Sequence, residues 1–314
     1  MPAILRREAL ARPPDSLLAV NSVHAMPDGD GIVEIDLEHC GVPRAICAFV
    51  HPAAGWIVDP GPESTAQTLL AALPEGWSPE RILLTHIHFD HAGSTGRLLE
   101  RFPEAEVWVH EIGAPHLVDP TRLVASATKI YGDRFERLWG RVMPVPEANV
   151  RVLRGEESID GWEVAYTPGH ARHHVSYLHS GSETAFCGDV AGVRILDGPV
   201  FPPTPPPDID VDAWQASIKR LEAWEPKALA VTHFGRFSDV ESQLQSLRST
   251  LDEFAGLARD LDAAGFEAAV RTWVTERTSG KLSQAAYEQA NPPATLHAGL
   301  ARYWAKRAGT TEAP

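Results

Sequence analysis

The chain has 314 residues, a length that fits one elaborated α/β domain or two smaller domains. With 44% hydrophobic and 22% charged residues it has the composition of a folded globular protein, which excludes global disorder. The 28 basic and 42 acidic residues give a net charge of −14. No block rich in lysine or arginine interrupts this acidic balance, so we expect no nucleic-acid partner.

Targeting signals and cysteines are equally sparse. No stretch approaches the roughly 18 consecutive apolar residues of a membrane span, and the amino-terminal residues lack the apolar core of a secretory signal. We therefore expect a cytoplasmic protein that acts on a small molecule and has no membrane partner. Three cysteines are too few for a disulfide scaffold and lack zinc-knuckle spacing. They are interpreted as buried thiols, with a Cys40–Cys47 disulfide as the alternative.

The first half of the chain alternates between predicted strands and helices. Residues 1–20 are predicted to form a loosely attached leader, because Pro13 and Pro14 oppose helix formation. Short apolar or alternating runs then predict strands as far as residue 59, namely GIVEIDLEHC, AICAFV and GWIVD. A helix (PESTAQTLLAAL), a strand (RILLTH), a helix over 93–102 and another strand (AEVWVH) follow. This order predicts a layered α/β domain.

The second half repeats these element types without repeating the sequence. Residues 115–148 are predicted to be partly helical, and several strand-like runs follow them. The segment FPPTPPPD is too rich in proline for a helix or a sheet interior and predicts a rigid loop, which precedes an amphipathic helix over 211–224 and a buried strand in KALAVTHFG. From residue 238 to 314, apolar residues at helical spacing predict a C-terminal helical extension, which could form a lid, a substrate wall or a homodimer contact.

The segment THIHFDH, residues 85–91, is the most informative motif. It holds three histidines and one aspartate within six positions, between a predicted buried strand and a predicted helix start. Imidazole and carboxylate groups are the ligands that borderline divalent metals prefer. A chance cluster of turn residues is the alternative, but that alternative is weak for so many potential ligands in one loop. The motif therefore predicts a metal site.

The pattern His-x-His-x-Asp-His after a hydrophobic strand resembles the metallo-β-lactamase superfamily, and in particular its glyoxalase-II-like hydrolase branch. Four further motifs of that family are present in order, namely IVDPG, TPGH, FCGD and VTHFG. The resemblance covers about residues 21–237, which it identifies as the metal-binding domain. It implies an α/β fold, the αββα metallo-β-lactamase-like sandwich, with the helical extension outside it.

The resemblance also implies a role for each motif residue. His86, His88 and His170 would hold one metal ion. Asp90, His91 and His233 would hold a second ion, and Asp189 would bridge the two. Asp59 would hydrogen-bond to ligand-bearing loops without touching a metal, and His174 is similar to a packing histidine of relatives. Two zinc ions are the expected cofactors, with iron or manganese as alternatives.

Substrate contacts are less clearly marked. Arg172 and His173 are candidates because they closely follow His170, and Phe201 because it begins the proline-rich loop. Tyr131 is a candidate because it could lean over the pocket. The alternatives are that Tyr131 is an ordinary core or surface aromatic and that the loop is only a connector. If the loop has a function, Phe201 would contribute to a preformed apolar wall beside the metal pocket.

The function that the resemblance implies is a dinuclear metal-dependent hydrolase. A hydroxide bridging the ions would attack an ester-type carbonyl in a thioester, ester or lactone, with Asp90 as the catalytic residue that orients it and shuttles its proton. The alternatives are a mononuclear iron oxidoreductase resembling persulfide dioxygenases, a phosphodiesterase, and a sensor that binds metal without turnover. The glutathione-recognising residues of true glyoxalase II have no match in the helical extension.

Overall fold

The computed structural model describes residues 29–309, and the predicted leader over residues 1–20 lies outside this range. Within the described residues, twelve strands form two six-stranded sheets. The first sheet contains β1 (Val33–Asp36), β2 (Cys47–His51), β3 (Trp56–Val58), β4 (Arg81–Leu83), β5 (Glu106–His110) and β6 (Val150–Leu153). The second sheet contains β7 (Ser158–Ile159), β8 (Trp162–Tyr166), β9 (Val175–His179), β10 (Thr184–Phe186), β11 (Ala228–Val231) and β12 (Gly235–Phe237).

Eleven α-helices connect these strands or follow them within the described part of the chain. Those before the second sheet are α1 (Ala66–Ala72), α2 (Phe89–Ala92), α3 (Thr95–Arg101), α4 (Ala114–Val118), α5 (Thr121–Tyr131) and α6 (Phe135–Trp139). Those after it begins are α7 (Val211–Ala223), α8 (Val240–Asp260), α9 (Ala263–Arg277), α10 (Lys281–Ala290) and α11 (Pro293–Arg307).

The strand directions follow from the connections. In the first sheet, short turns make β1, β2 and β3 antiparallel, whereas helical crossovers make β3, β4, β5 and β6 parallel. In the second sheet, β8, β9 and β10 are antiparallel neighbours, and the crossover through α7 makes β11 parallel to β10. Strands β8, β10 and β11 therefore point the same way, and their carboxyl ends lie at one edge.

The two sheets pack face to face through large side chains. Strand residues alternate between the two faces of a sheet, so every second residue of these short apolar runs points inward. Trp56 meets Trp162 edge to face with ring centroids 5.2 Å apart, and Phe49 meets Phe186 at 5.4 Å. All four rings are at most 1% exposed. The packing of these buried rings fixes the position of one sheet relative to the other.

Helices cover the outer face of each sheet. Leu69 of α1 and Leu98 of α3 share an apolar cluster with the outward side chains of the first sheet. Trp214 and Ile218 of α7 cover the second sheet, and the C-terminal helices join that cluster through residues such as Phe254. The order of layers is helix, sheet, sheet, helix, which confirms the αββα fold with C-terminal helices. The boundary between residues 237 and 238 stays a prediction.

Two smaller expectations can be compared with the structure. The three cysteines are all unpaired thiols, so the Cys40–Cys47 disulfide alternative is wrong. Among residues 29–309, no helix combines the length and the apolar character that crossing a membrane requires.

Candidate metal centre

The predicted ligands all follow strand ends. The segment after β4 contains His86 and His88 and continues into the short helix α2, which contains Asp90 and His91. His170, Asp189 and His233 follow β8, β10 and β11, whose carboxyl ends meet at the same edge of the second sheet. Loops that begin at such an edge can bring their side chains to one point, because the sheets hold the first residue of each loop in a fixed position.

The structure brings these side chains together in two groups, within each of which all ligand atoms lie within 4.8 Å of one another. The first group contains His86, His88, His170 and Asp189, and the second contains Asp90, His91 and His233. Asp189 faces both groups. Its Oδ2 lies 3.2 Å from His170 Nε2, and its Oδ1 lies 3.3 Å from His91 Nε2 and 3.5 Å from His233 Nε2. One carboxylate thus presents an oxygen to each group, as a bridging ligand would.

Three ligand histidines are oriented through their Nδ1 atoms. His170 Nδ1 donates to the carbonyl oxygen of Pro203 (2.9 Å), and His233 Nδ1 donates to that of Ala45 (2.6 Å). His91 Nδ1 donates to a carboxylate oxygen of Asp59 (2.8 Å). Because Nδ1 of each ring donates a hydrogen bond away from the centre, Nε2 of each ring faces the centre.

Nitrogen lone pairs also converge around His88. Its Nδ1 lies 3.0 Å from His86 Nε2 and 2.9 Å from His170 Nε2. Thr85 donates its hydroxyl proton to Asp59 and so can accept a hydrogen bond from His86 Nδ1, which leaves the His86 Nε2 lone pair facing His88. A single proton on His88 Nδ1 cannot satisfy both neighbours fully, whereas a cation between the three nitrogens would.

Two buried atoms on the side of the second group have no hydrogen-bond partner. Among the described residues, neither His91 Nε2 nor Asp189 Oδ1 makes a hydrogen bond, although both are buried. Buried polar atoms are nearly always satisfied, and such exceptions point to a missing ion or water. The donor set of imidazole nitrogens and carboxylate oxygens therefore fits one divalent metal ion in each group.

The two groups differ in their protonation. In the first group, burial and neighbouring histidines hold the pKa of His86 well below its usual range, and burial is the main cause that lowers the pKa of His88 to about 3. In the second group, burial opposes the charged form of His91, but the carboxylates of Asp189, Asp59 and Asp90 outweigh it and raise its pKa. The pKa of His233 is raised in the same way by Asp189 and Asp90.

Asp59 lies behind the ligands rather than among them. This fully buried carboxylate accepts hydrogen bonds from Thr85 N (2.8 Å), Thr85 Oγ1 (2.7 Å), Thr232 Oγ1 (2.7 Å) and His91 Nδ1 (2.8 Å). Thr85 and Thr232 precede the ligands His86 and His233 in the chain. Asp59 thus ties the two ligand loops together across the two sheets.

Steric crowding explains why the FCGD motif contains a glycine. Gly188 has a φ of +46° and lies against the Thr85 side chain, so a β-carbon there would overlap Thr85 Oγ1 and come within 3.0 Å of His174 Nε2. His174 is fully buried, stacks on His86 with ring centroids 5.0 Å apart, and bonds Thr167 through Nδ1. The close approach of these loops requires glycine beside Asp189.

The candidate substrate residues lie in different surroundings. Tyr131 is half-buried at the end of α5, where burial and then the charge of Asp90 raise its pKa to about 12. His173 is 8% exposed, stacks parallel to His86 at 6.0 Å and accepts a hydrogen bond from Ile87 N at 3.4 Å. His173 therefore contacts the first ligand group, whereas a substrate contact of Tyr131 stays a prediction.

The other two candidates do not fit the predicted role. Phe201 is 1% exposed and packs edge to face on Phe254 and Tyr287, so it is a core residue beneath the C-terminal helices, and the predicted apolar wall around it is wrong. Its backbone also pairs with Val193, so the proline-rich loop does join a strand-like bridge. Arg172 is exposed and borders a separate cavity of about 570 Å³ with Tyr303.

Some residues at the centre were not predicted. The carbonyl groups of Ala45 and Pro203 orient ligands, but a backbone group leaves no signature in a sequence. His39 had no motif around it, yet its pKa responds to the charges of Asp90 and His233 after the larger effect of burial, which lowers it. The threonines before His86 and His233 could have indicated a shared hydrogen-bond partner, because a hydroxyl next to each ligand can reach the same supporting carboxylate.

An αββα sandwich with two adjoining groups of histidine and aspartate at one edge defines a class of metal-binding proteins. Residues 47–233 match the model of the Metallo-beta-lactamase superfamily, and the chain belongs to that superfamily. The family resemblance predicted from the motifs is therefore confirmed.

Individual relatives match about half of this chain. A metallo-beta-lactamase fold-containing protein of Sulfurisphaera tokodaii, ST1585, is 34% identical over 54% of this chain and 66% of its own length. A hydroxyacylglutathione hydrolase of Xylella fastidiosa is 33% identical over 53% of this chain and 50% of its own length. The chain thus spans half to just under two thirds of these relatives. The crystal structure of ST1585 superposes with a TM-score of 0.64 at 24% identity, covering 87% of this chain and 98% of that one, and supports the fold alone.

Proposed function

We propose that the protein is a dinuclear metal-dependent hydrolase that cleaves an ester-type carbonyl compound, namely a thioester, an ester or a lactone. The observation that carries this proposal is the placement of Asp189, whose two oxygens face two separate groups of buried ligand atoms. A site built for one ion would not need the second complete group.

Two divalent ions fit these groups, and zinc is the metal we propose. The first group would hold one ion through three imidazoles, and the second would hold the other through two imidazoles and Asp90, with Asp189 shared. Iron and manganese accept the same ligands. Bound ions of this kind lower the pKa of a coordinated water and polarise a carbonyl oxygen, which is the chemistry that hydrolysis needs.

The chain supplies an ionised carboxylate beside this centre. Burial would raise the pKa of Asp90, but His91 and His233 outweigh it and hold that pKa below the usual range. Asp90 is therefore ionised at neutral pH, with Oδ2 3.5 Å from His233 Nε2. We propose that it orients the attacking water and receives its proton, a role that usually contributes about 10²–10⁴-fold to a rate.

The name of one relative supports this reaction class. The Xylella fastidiosa protein is named a hydroxyacylglutathione hydrolase, and its match covers half of its length. The fit of Asp90, His91 and His233 into a complete second group favours hydrolysis over the mononuclear iron oxidoreductase alternative. A cytoplasmic location and a homodimer through the C-terminal helices stay predictions.

The proposal is tested by metal analysis and a hydrolysis screen on one preparation. Thioesters, carboxylesters, lactones and phosphodiesters are offered to protein loaded with zinc, iron or manganese, and metal per chain is measured. We expect about two ions per chain and hydrolysis of at least one carbonyl substrate. A fully loaded protein that cleaves only phosphodiesters, or that holds a single iron and consumes oxygen, would overturn the proposal.

A further inference from the structure

Five rings form a continuous cluster on the Asp90 side of the metal centre. We call this cluster the aromatic wall, and its members are His39, Phe89, Tyr131, Phe135 and Trp139. Trp139 lies at its middle, stacked on His39 with centroids 5.5 Å apart, edge to face with Tyr131 at 5.3 Å and tilted on Phe89 at 6.2 Å. Phe89 also meets Phe135 edge to face at 5.5 Å.

The aromatic wall adjoins the second group of ligands. Phe89 stands between the ligands His88 and Asp90 at the start of α2. The ring of Phe89 contacts Phe135 and Trp139, so the other members of the aromatic wall are joined to α2, the helix that contains Asp90. The aromatic wall therefore begins at α2, next to the second group of ligands, and continues through Phe89 to Trp139.

Part of the aromatic wall is open to a ligand. Phe89 and His39 are buried at its base, whereas Tyr131, Phe135 and Trp139 are only half-buried. Ile130, the residue before Tyr131 in α5, is 56% exposed. Aromatic and aliphatic side chains left partly exposed beside a polar centre are the usual lining of small-molecule sites.

The aromatic wall is held in place from two sides. His39 Nε2 donates to the Leu138 carbonyl oxygen at 2.8 Å, and Ser64 Oγ donates to the same oxygen at 2.7 Å. His39 Nδ1 accepts a hydrogen bond from the side-chain amide of Gln289 in α10 at 3.1 Å. Both nitrogens of His39 are thus used, which fixes its ring under Trp139 and connects the C-terminal helices to the wall.

We propose that the aromatic wall binds an uncharged aromatic or bulky apolar acyl group of the substrate and so sets the substrate class of the enzyme. This inference rests on the proposed hydrolase function. Rings favour an apolar planar group through area and through edge or offset stacking. His39 is a positioning residue that holds Trp139, and it does not touch the substrate.

The test uses a matched pair of tryptophan variants of the metal-loaded protein. Trp139→Leu removes the middle of the aromatic wall, and Trp304→Leu removes another half-buried tryptophan, which bonds Ala255 in the C-terminal helices. We expect the wild type and Trp304→Leu to prefer phenylacetyl over acetyl thioesters, and Trp139→Leu to lose about tenfold or more of that preference in kcat/KM. Equal preference in all three proteins would overturn the proposal.

A binding measurement separates this inference from the proposed reaction. Calorimetry with 2-phenylacetamide, which is uncharged, compares its affinity with that of acetamide in the same three proteins. We expect 2-phenylacetamide to bind the wild type and Trp304→Leu, and to bind Trp139→Leu about tenfold more weakly or worse. This result would stand even if no ester were cleaved. Binding that does not depend on Trp139 would reject the aromatic wall as a ligand site, even in an active hydrolase.

His39 and Gln289 provide a third comparison. Gln289→Ala removes only the hydrogen bond to His39 Nδ1, and its effect is expected in KM for the phenylacetyl substrate, with kcat and metal content unchanged. His39→Ala is expected to change the same constant further. An equal rise in KM for the acetyl substrate would contradict a positioning role through Trp139.

Discussion

The two ligand groups of the metal centre are built from similar residues but differ in electrostatic state. In the first group, buried neutral imidazoles surround one side of Asp189, and burial lowers the pKa values of His86, His88 and His170. In the second group, carboxylates outweigh burial and raise the pKa values of His91 and His233. Without metal, the surroundings of the first group therefore favour neutral imidazoles, and those of the second group favour pairs of imidazolium and carboxylate.

This difference indicates that the two groups are prepared for metal in different ways. The first can accept an ion near neutral pH without losing protons. The second must exchange protons for an ion, since a metal ligand has to be deprotonated. Asp189 presents one oxygen to each group, so a change at this residue should affect metal binding in both.

Asp189→Ala is expected to have the largest effect, because it removes an oxygen from each group. We expect metal content to fall from about two ions per chain to below one, with loss of activity. Asp239→Ala is the matched control, since that carboxylate pairs with Arg194 at the surface. Full metal content in Asp189→Ala would show that the carboxylate does not bridge.

Asp90→Asn should affect only the second group. The amide keeps the shape and one oxygen but loses the charge that favours a metal and the ability to take a proton. We expect turnover to fall by at least about 10²-fold, while the first group still binds its ion. Near wild-type turnover in a fully loaded variant would mean that the reaction needs no proton acceptor at this position.

Asp59→Asn should weaken metal binding by the second group, although Asp59 itself is not a ligand. It replaces a carboxylate that accepts four hydrogen bonds with an amide that brings donors toward Thr85, Thr232 and His91. We expect affinity for the second ion to fall by about 10–100-fold, as is typical when a supporting partner of a ligand is lost. A titration that gave wild-type affinity for both ions would remove this role from Asp59.

The affinities for the two ions should also differ in their dependence on pH, which is a smaller effect than those of the substitutions. Raised pKa values mean that His91 and His233 keep their protons to a higher pH than an ordinary histidine does, and rising pH removes them. Affinity for the second ion should therefore increase with pH, by about tenfold per unit for each proton displaced, whereas affinity for the first stays nearly flat between about pH 6 and 8. Equal slopes for both ions in stepwise titrations would contradict the comparison.

The sequence predicts most of the fold because its elements have strong local signals. Apolar runs between glycine and proline turns mark the strands, and the spacing of Leu244, Leu247 and Leu251 marks α8, which ends at Asp260. Position within the packed fold is harder to infer. Phe201 follows the ligand Asp189 by only twelve residues, yet it lies in the core, because the chain between them turns back to pair Val193 with Phe201.

The site was predictable to the extent that its residues are adjacent in sequence or belong to motifs. His86, His88, Asp90 and His91 lie in one segment, so their convergence follows from chain geometry. His39 is different, since its partners Leu138, Trp139 and Gln289 are all far away in sequence. Long-range contacts of this kind depend on tertiary packing and have no local pattern.

The hydrogen bonds from His170 to the Pro203 carbonyl and from His233 to the Ala45 carbonyl have an evolutionary consequence. Every amino acid has a main-chain carbonyl, so the residue type at either position can drift while the acceptor remains. An inserted or deleted residue in either loop would instead move the acceptor away from its imidazole. Among homologues, we therefore expect the constraint at these two positions to be recorded in loop length rather than in residue identity.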